Sequence, residues 1–171
     1  MPNAKIIASW HKCKIEIGET GENDAMADSL ESIGTIKDKS TSMTHEDGET
    51  LTLTATGGIV VAEEVGEGTV SVTTRVIEPS FDLENKLTGA VKAQDGSELT
   101  VKTNVVSKDF SMKLTPKNIG SVGIKARRCA VTYKPGSSEE EGQYADITFK
   151  FLACTDGELY KKFKVAAADW A

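Results

Sequence analysis

The sequence predicts a mainly β protein: an antiparallel β-sandwich or barrel-like fold with one short flanking helix and a long hairpin arm. Three observations predict it. Apolar and polar residues alternate with period two in segment after segment, the mark of strands with one buried and one wet face. Turn dipeptides containing Gly, Asp or Pro separate those segments. Helix signals are scarce, and the best set lies at Ser80–Gly89. The 171 residues and 18.3 kDa suit one domain, residues 1–171. A chain of this size buries roughly two-thirds of its unfolded surface, enough for a core without metals or disulfides.

Lys12 to Ile17 places Cys13, Ile15 and Ile17 on one strand face. Asp24 to Ile33 has helical spacing at Met26, Leu30 and Ile33, with Gly34 following. Between Ser40 and Thr56, Asp47-Gly48 separates two alternating segments and predicts a hairpin turn. That hairpin, about Thr35 to Thr56, is Thr-rich and acidic at its tip. Its second strand, Thr50 to Thr56, sets Leu51, Leu53 and Ala55 opposite threonines. Thr69 to Ile77 groups Val70, Val72 and Val76.

For the helix, Ser80 is an N-cap and Asp82 suits the positive end of the dipole. Leu83 and Leu87 share a face, and Gly89 supplies a left-handed C-cap. Strand patterns resume at Leu99, Val101 and Val105, then at Phe110, Met112 and Leu114. Val122, Ile124 and Ala126 alternate, and Cys129, Val131 and Tyr133 alternate one register later. A β-bulge at Arg127-Arg128 absorbs the extra residue. Ala145, Ile147, Phe149 and Phe151 share a face, as do Leu159, Phe163 and Val165. Gly57-Gly58, Gly66-Glu67-Gly68, Asp95-Gly96, Pro135-Gly136 and Asp156-Gly157 read as turns. Glu63-Glu64 and Glu139–Glu141 read as solvated loops.

Charge and residue types exclude several functions. The net charge is −6, and no basic stripe suited to gripping nucleic acid is visible. Lys161-Lys162 and Arg127-Arg128 are isolated pairs, read as solvated strand faces. Cys13, Cys129 and Cys154 form no disulfide framework and no zinc spacing, so reduced thiols are expected. His11 stands two residues from Cys13, which does not by itself activate a thiol. No phosphate loop or set of paired catalytic carboxylates emerges. No catalytic, cofactor-binding or metal site is expected. The apolar run near the N-terminus is too short for a signal peptide. No segment approaches the roughly 20 apolar residues of a membrane helix. A soluble protein made in the cytoplasm is expected.

One resemblance is more specific. Lys-Ile-Glu-Ile-Gly-Glu-Thr-Gly-Glu-Asn (Lys14–Asn23) precedes Leu-Glu-Ser-Ile-Gly-Thr-Ile-Lys-Asp-Lys-Ser (Leu30–Ser40). The Asp47-Gly48 segment follows, then Thr-Gly-Gly-Ile-Val-Val-Ala-Glu-Glu (Thr56–Glu64), Val-Ile-Glu-Pro-Ser (Val76–Ser80) and Leu-Thr-Gly (Leu87–Gly89). In this order the pieces resemble the major tail tube proteins of phages, over a little under half the chain. The resemblance implies a β-sandwich with a flanking helix, closed into hexameric rings. Stacked rings would form a tube whose lumen passes DNA without specific binding. It implies tape-measure and tail terminator proteins as partners, a place in the virion tail, and no membrane. It also implies a hairpin reaching the next ring. Together with the acidic tip, this makes Thr44, His45, Glu46, Asp47, Gly48 and Glu49 the expected inter-ring contact. The competing expectation is a monomeric Ig-like binding module on a phage or cell surface. The Ig Cys…Trp…Cys spacing is absent, because Trp10 and Trp170 lie at the two ends.

Overall fold

The structure is a computed structural model and describes residues 10, 12–103 and 108–170. The chain begins with β1 (Cys13–Glu19), a 3-10 turn at Glu22–Asp24, β2 (Glu31–Ser32), β3 (Thr35–Ile36) and β4 (Ser42–Glu46). Next come β5 (Thr50–Ala55), β6 (Ile59–Val65), β7 (Thr69–Ile77) and the helix α1 (Phe81–Thr88). Two short strands, β8 (Val91–Lys92) and β9 (Leu99–Thr100), precede the long β10 (Asp109–Pro116), β11 (Val122–Ser138) and β12 (Gly142–Phe151). The chain closes with β13 (Lys161–Lys164) and a 3-10 turn at Ala167–Trp170.

Nine strands form one antiparallel sheet in the order β2-β1-β10-β11-β12-β7-β3, with β13 beside β11 and β4 beside β7. It does not close into a barrel. β11 links the two halves. Its first residues pair with β10 and β13, and its later residues pair with β12. The expected bulge lies between. Phe110 faces Cys129 and Met112 faces Ala126, so β11 carries one extra residue at Arg127-Arg128. A bulge raises local twist and bends the strand. Here it returns Cys129 to the buried side.

The core follows the alternation. Val70, Val72 and Val76 of β7 are buried against Ile147 and Phe149 of β12 and Phe110, Met112 and Leu114 of β10. Each such side chain contributes about 1.5–3 kcal/mol relative to exposure. α1 covers the core with Leu83 and Leu87. Its ends match the sequence signals. The Ser80 side chain accepts from the Leu83 N–H, and Gly89 adopts φ 75°.

Several expectations are corrected. Asp24–Ile33 is not helical; Asn23 and Asp24 take φ of 54° and 56°, and β2 begins at Glu31. Left-handed residues interrupt a helix that spacing alone would allow. Pro135-Gly136 is no turn but part of β11, with Pro135 opposite Ala145. Beyond Ala130, the side of β11 away from β12 has no strand partner among the described residues, an edge where Pro is tolerated. A Cβ on Gly136 would sit 2.6 Å from the Tyr144 ring, so Gly there makes room for that ring. Glu63-Glu64 belong to β6 rather than a loop. His11 and Val105 lie outside the described residues.

Candidate assembly interface

Two features stand apart from the core: a projecting ribbon and a hydroxyl-rich sheet face. The ribbon leaves the main sheet where β4 ends, with Glu46 opposite Thr69 of β7. Asp47-Gly48-Glu49 runs outward and Gly66-Glu67-Gly68 runs back. The Gly66 N–H donates to the Glu49 carbonyl at 2.8 Å. A Cβ on Gly48 would lie 1.9 Å from the Gly66 carbonyl oxygen, and one on Gly68 would lie 2.5 Å from that of Glu46. The neck is narrow because neither position carries a side chain.

The ribbon is therefore shifted from its expected place. β4 pairs with β7, and β5 pairs with β6, so Asp47-Gly48 is a neck and not a turn. Thr56-Gly57-Gly58 joins the paired Ala55 and Ile59, and so short a hairpin loop requires positive φ. Gly57 and Gly58 have it, at 95° and 81°, and the Gly58 N–H donates to the Ala55 carbonyl at 3.1 Å. The arm is Thr50–Val65, not about Thr35–Thr56. Of the six expected contact residues, Thr44, His45 and Glu46 lie in β4, and Asp47, Gly48 and Glu49 lie at the neck. None reaches the tip. The usable signal was Gly57-Gly58 between two apolar-rich segments.

The arm is an amphipathic β-ribbon without a core beneath it. Its register puts Leu51, Leu53, Ala55, Ile59 and Ala62 on one face, with Glu64 opposite Leu51 at its base. Thr50, Thr52, Thr54, Val60, Glu63 and Val65 occupy the other. A register shift leaves Val61 as the extra residue. Its larger apolar side chains are 55–66% exposed. An isolated two-stranded hairpin is marginal in water, and its free edges are templates for further pairing. The stretch Glu46–Glu67 holds six acids and neither Lys nor Arg. Removing those six from the chain's 26 acidic residues leaves 20, equal to its 20 Lys and Arg. The arm, its neck and the last residue of β4, Glu46, thus carry a charge equal to the whole formal net charge.

The second feature is the wet face of β4, β7, β12 and β11. Ser42 faces Thr73, Thr73 faces Thr148, and Thr148 faces Thr132, a row of hydroxyls across four strands. Thr44 and Ser71 extend it. Arg75, beside the row, is paired, whereas the exposed Lys134 and Lys150 on the same face form no ion pair among the described residues. Arg75 donates from Nε to Asp146 at 2.7 Å and from Nη1 to Glu141 at 2.7 Å, while Lys37 also pairs with Glu141. The Arg75 guanidinium also lies 4.2 Å from the Tyr144 ring centroid. Asp146 and Glu141 thereby occupy the cation in the middle of the face.

Elsewhere the titratable groups serve structure. Arg127 pairs with Asp156 and Glu158, and Arg128 with Asp109, so the two arginines at the bulge are ion-paired rather than free. Cys13, Cys129 and Cys154 are free thiols, each pushed upward in pKa by burial. Burial disfavours the thiolate that nucleophilic chemistry requires. Among the described residues, no group of three His, Cys, Asp or Glu is placed to hold a metal, and no helix is long and apolar enough to cross a membrane. No protein-family model matches the sequence, and a comparison with curated proteins finds no match.

Proposed function

We propose that this chain is a tail tube subunit: copies close into rings, six in the tail-tube resemblance, and the rings stack around a channel that passes DNA. The observation that carries the reading is the arm. A monomer gains nothing from holding an amphipathic ribbon in water with its Leu, Ile and Val side chains more than half exposed. Exposed apolar patches of this kind mark contact surfaces, and free strand edges are quenched by pairing.

The hydroxyl row supports the same reading. In a ring, the β4-β7-β12-β11 face lines the lumen. Thr and Ser keep it wet, and the pairing of Arg75 with Asp146 and Glu141 removes its central free cation, leaving Lys134 and Lys150 with Glu46 as its unpaired charges among the described residues. A lining that binds phosphate through many released counterions would hold DNA in place; a hydroxyl-rich one with few free cations lets it slide. Tape-measure and tail terminator proteins are then its partners, the virion tail its location, and its role structural rather than enzymatic.

Sedimentation velocity over a concentration series tests the proposal. The expected result is a monomer at high dilution that gives way to large, uniformly growing species. A clean monomer at high concentration overturns the reading and favours the monomeric binding module.

A further inference from the structure

The chain also contains a site of opposite character to the arm. Trp10 and Lys12 just before β1, Lys14 within it, Lys37 and Lys39 after β3, and Trp170 in the last turn surround a cleft of about 470 Å³. Its two indoles are fixed. The Trp10 Nε1–H donates to the Val122 carbonyl at 3.1 Å, and that of Trp170 donates to the Pro116 carbonyl. Lys14 Nζ lies 5.2 Å from the Trp170 ring centroid. Asp169 holds the last turn through the Ala166 N–H at 2.8 Å and Lys113 at 3.0 Å.

Beyond Trp170 the surface continues as an apolar hollow of about 320 Å³ containing Ile119, Ala166, Ala167 and Lys117. Ile119 is 65% exposed. The acids at this surface are few. Asp38 lines the cleft, Glu16 pairs with Lys14 at 3.5 Å, and Glu141 takes Lys37. Lys12, Lys39 and Lys117 form no ion pair among the described residues. A patch with aromatic and apolar ground and unpaired ammonium groups therefore sits on a chain that is acidic as a whole.

We propose that this cleft receives the arm of a second copy of the chain. The inference rests on the self-assembly reading above and names the docking surface. Charge supports it: the arm and neck hold five acids, Asp47, Glu49, Glu63, Glu64 and Glu67, and neither Lys nor Arg, and the cleft offers Lys12, Lys39 and Lys117. Surface type supports it as well. Leu51, Leu53 and Ile59 share one arm face that nothing covers, and Trp10, Trp170 and Ile119 are the matching ground. Strands of six and seven residues reach roughly 20 Å at about 3.3 Å per residue. No arm residue lines the cleft of its own chain. Made head to tail, the contact propagates into a ring or filament; made reciprocally by two copies, it closes as a dimer.

The test is a charge exchange on the full chain. One variant carries Lys12→Glu and Lys39→Glu, a second carries Glu63→Lys and Glu64→Lys, and a third carries all four changes. All four positions are exposed, and thermal melts confirm folding. Sedimentation velocity is expected to show self-association at least tenfold weaker for each two-site variant. The equimolar mixture of the two, and the four-site chain, are expected to associate again. Association of the Lys12→Glu/Lys39→Glu chain like that of the parent overturns the proposal, as does failure of the mixture to recover. Binding of a short single-stranded oligonucleotide that depends on these lysines, with assembly unchanged, overturns it in favour of a nucleic-acid site. A parent that stops at a dimer, with the exchange still restoring it, leaves the arm–cleft contact standing and removes the tube reading. A channelled tube indifferent to both reversals does the opposite. A parent that remains monomeric overturns both.

Discussion

Deleting Thr50–Val65 and joining Glu49 to Gly66 removes the arm at a point where the two strands already touch, 2.8 Å apart from N to O. The structure predicts that the fold survives. The arm residues are all exposed and pack on no part of the core. The connection between Glu46 of β4 and Thr69 of β7 shortens from residues 47–68 to six residues, Asp47-Gly48-Glu49-Gly66-Glu67-Gly68. Because a lone hairpin is marginal, that connection behaves as a flexible loop. Loop-closure entropy scales as (3/2)RT ln n, so going from about 22 to about 6 residues stabilises by about 1 kcal/mol. For a domain of this size that raises Tm by roughly 2–4 °C. Calorimetry at low concentration reads the stability, and sedimentation reads assembly, which is expected to vanish. A Tm that falls by more than roughly 6 °C would refute the reasoning, because the arm would then be part of the folding unit. Undiminished assembly would refute it from the other side.

Three further outcomes follow from single positions. Phe149→Ala, at a fully buried site in β12, is expected to cost about 3–5 kcal/mol in urea unfolding; a loss below about 1 kcal/mol would place the core elsewhere. Ser80→Ala removes the side-chain acceptor for the Leu83 N–H and is expected to cost about 1 kcal/mol, read from the same unfolding curves. The Asp169 carboxyl is held below its usual pKa, first by the Ala166 backbone N–H and then by Lys113. A lowered folded pKa means that its contribution is complete above the ordinary aspartate pKa of about 3.9 and fades as pH falls through the folded value. In a Trp10→Phe chain, Trp170 emission is expected to hold steady from neutral pH to about pH 5 and to shift below about pH 4. Emission that stays flat to the acid unfolding transition would contradict that role for Asp169.

The elements readable in the sequence are those whose local signal coincides with their burial. β7 alternates Val70, Val72 and Val76 against Ser71, Thr73 and Arg75, and the structure buries the first set. α1 is framed by its own caps. The bulge showed as a change of phase at Arg127-Arg128, because an extra residue shifts every later side chain to the other face. The arm was half legible. Its alternation was visible, but alternation records an apolar face and not what covers it. Two turn dipeptides competed, Asp47-Gly48 and Gly57-Gly58. The pairing of β4 with β7 decided between them, and that contact spans the whole arm.

The cleft was not legible for a related reason. Trp10, Lys39 and Trp170 are far apart in the chain. They meet because Cys13 of β1 pairs with Pro116 of β10, the carbonyl oxygen of Pro116 anchors Trp170, and β3 packs along β7 nearby. No short-range pattern encodes a surface built from three such segments. The hydroxyl row is similar: Ser42, Thr73, Thr132 and Thr148 become neighbours only through strand register.

The most direct test of the central claim is electron microscopy of the concentrated protein with image averaging along the assembly axis. The account predicts stacked rings with an open channel, lined by the β4-β7-β12-β11 face, with each arm extending into the adjoining subunit. Assemblies without a channel, or a channel lined by the surface that carries the Trp10–Trp170 cleft, would contradict it.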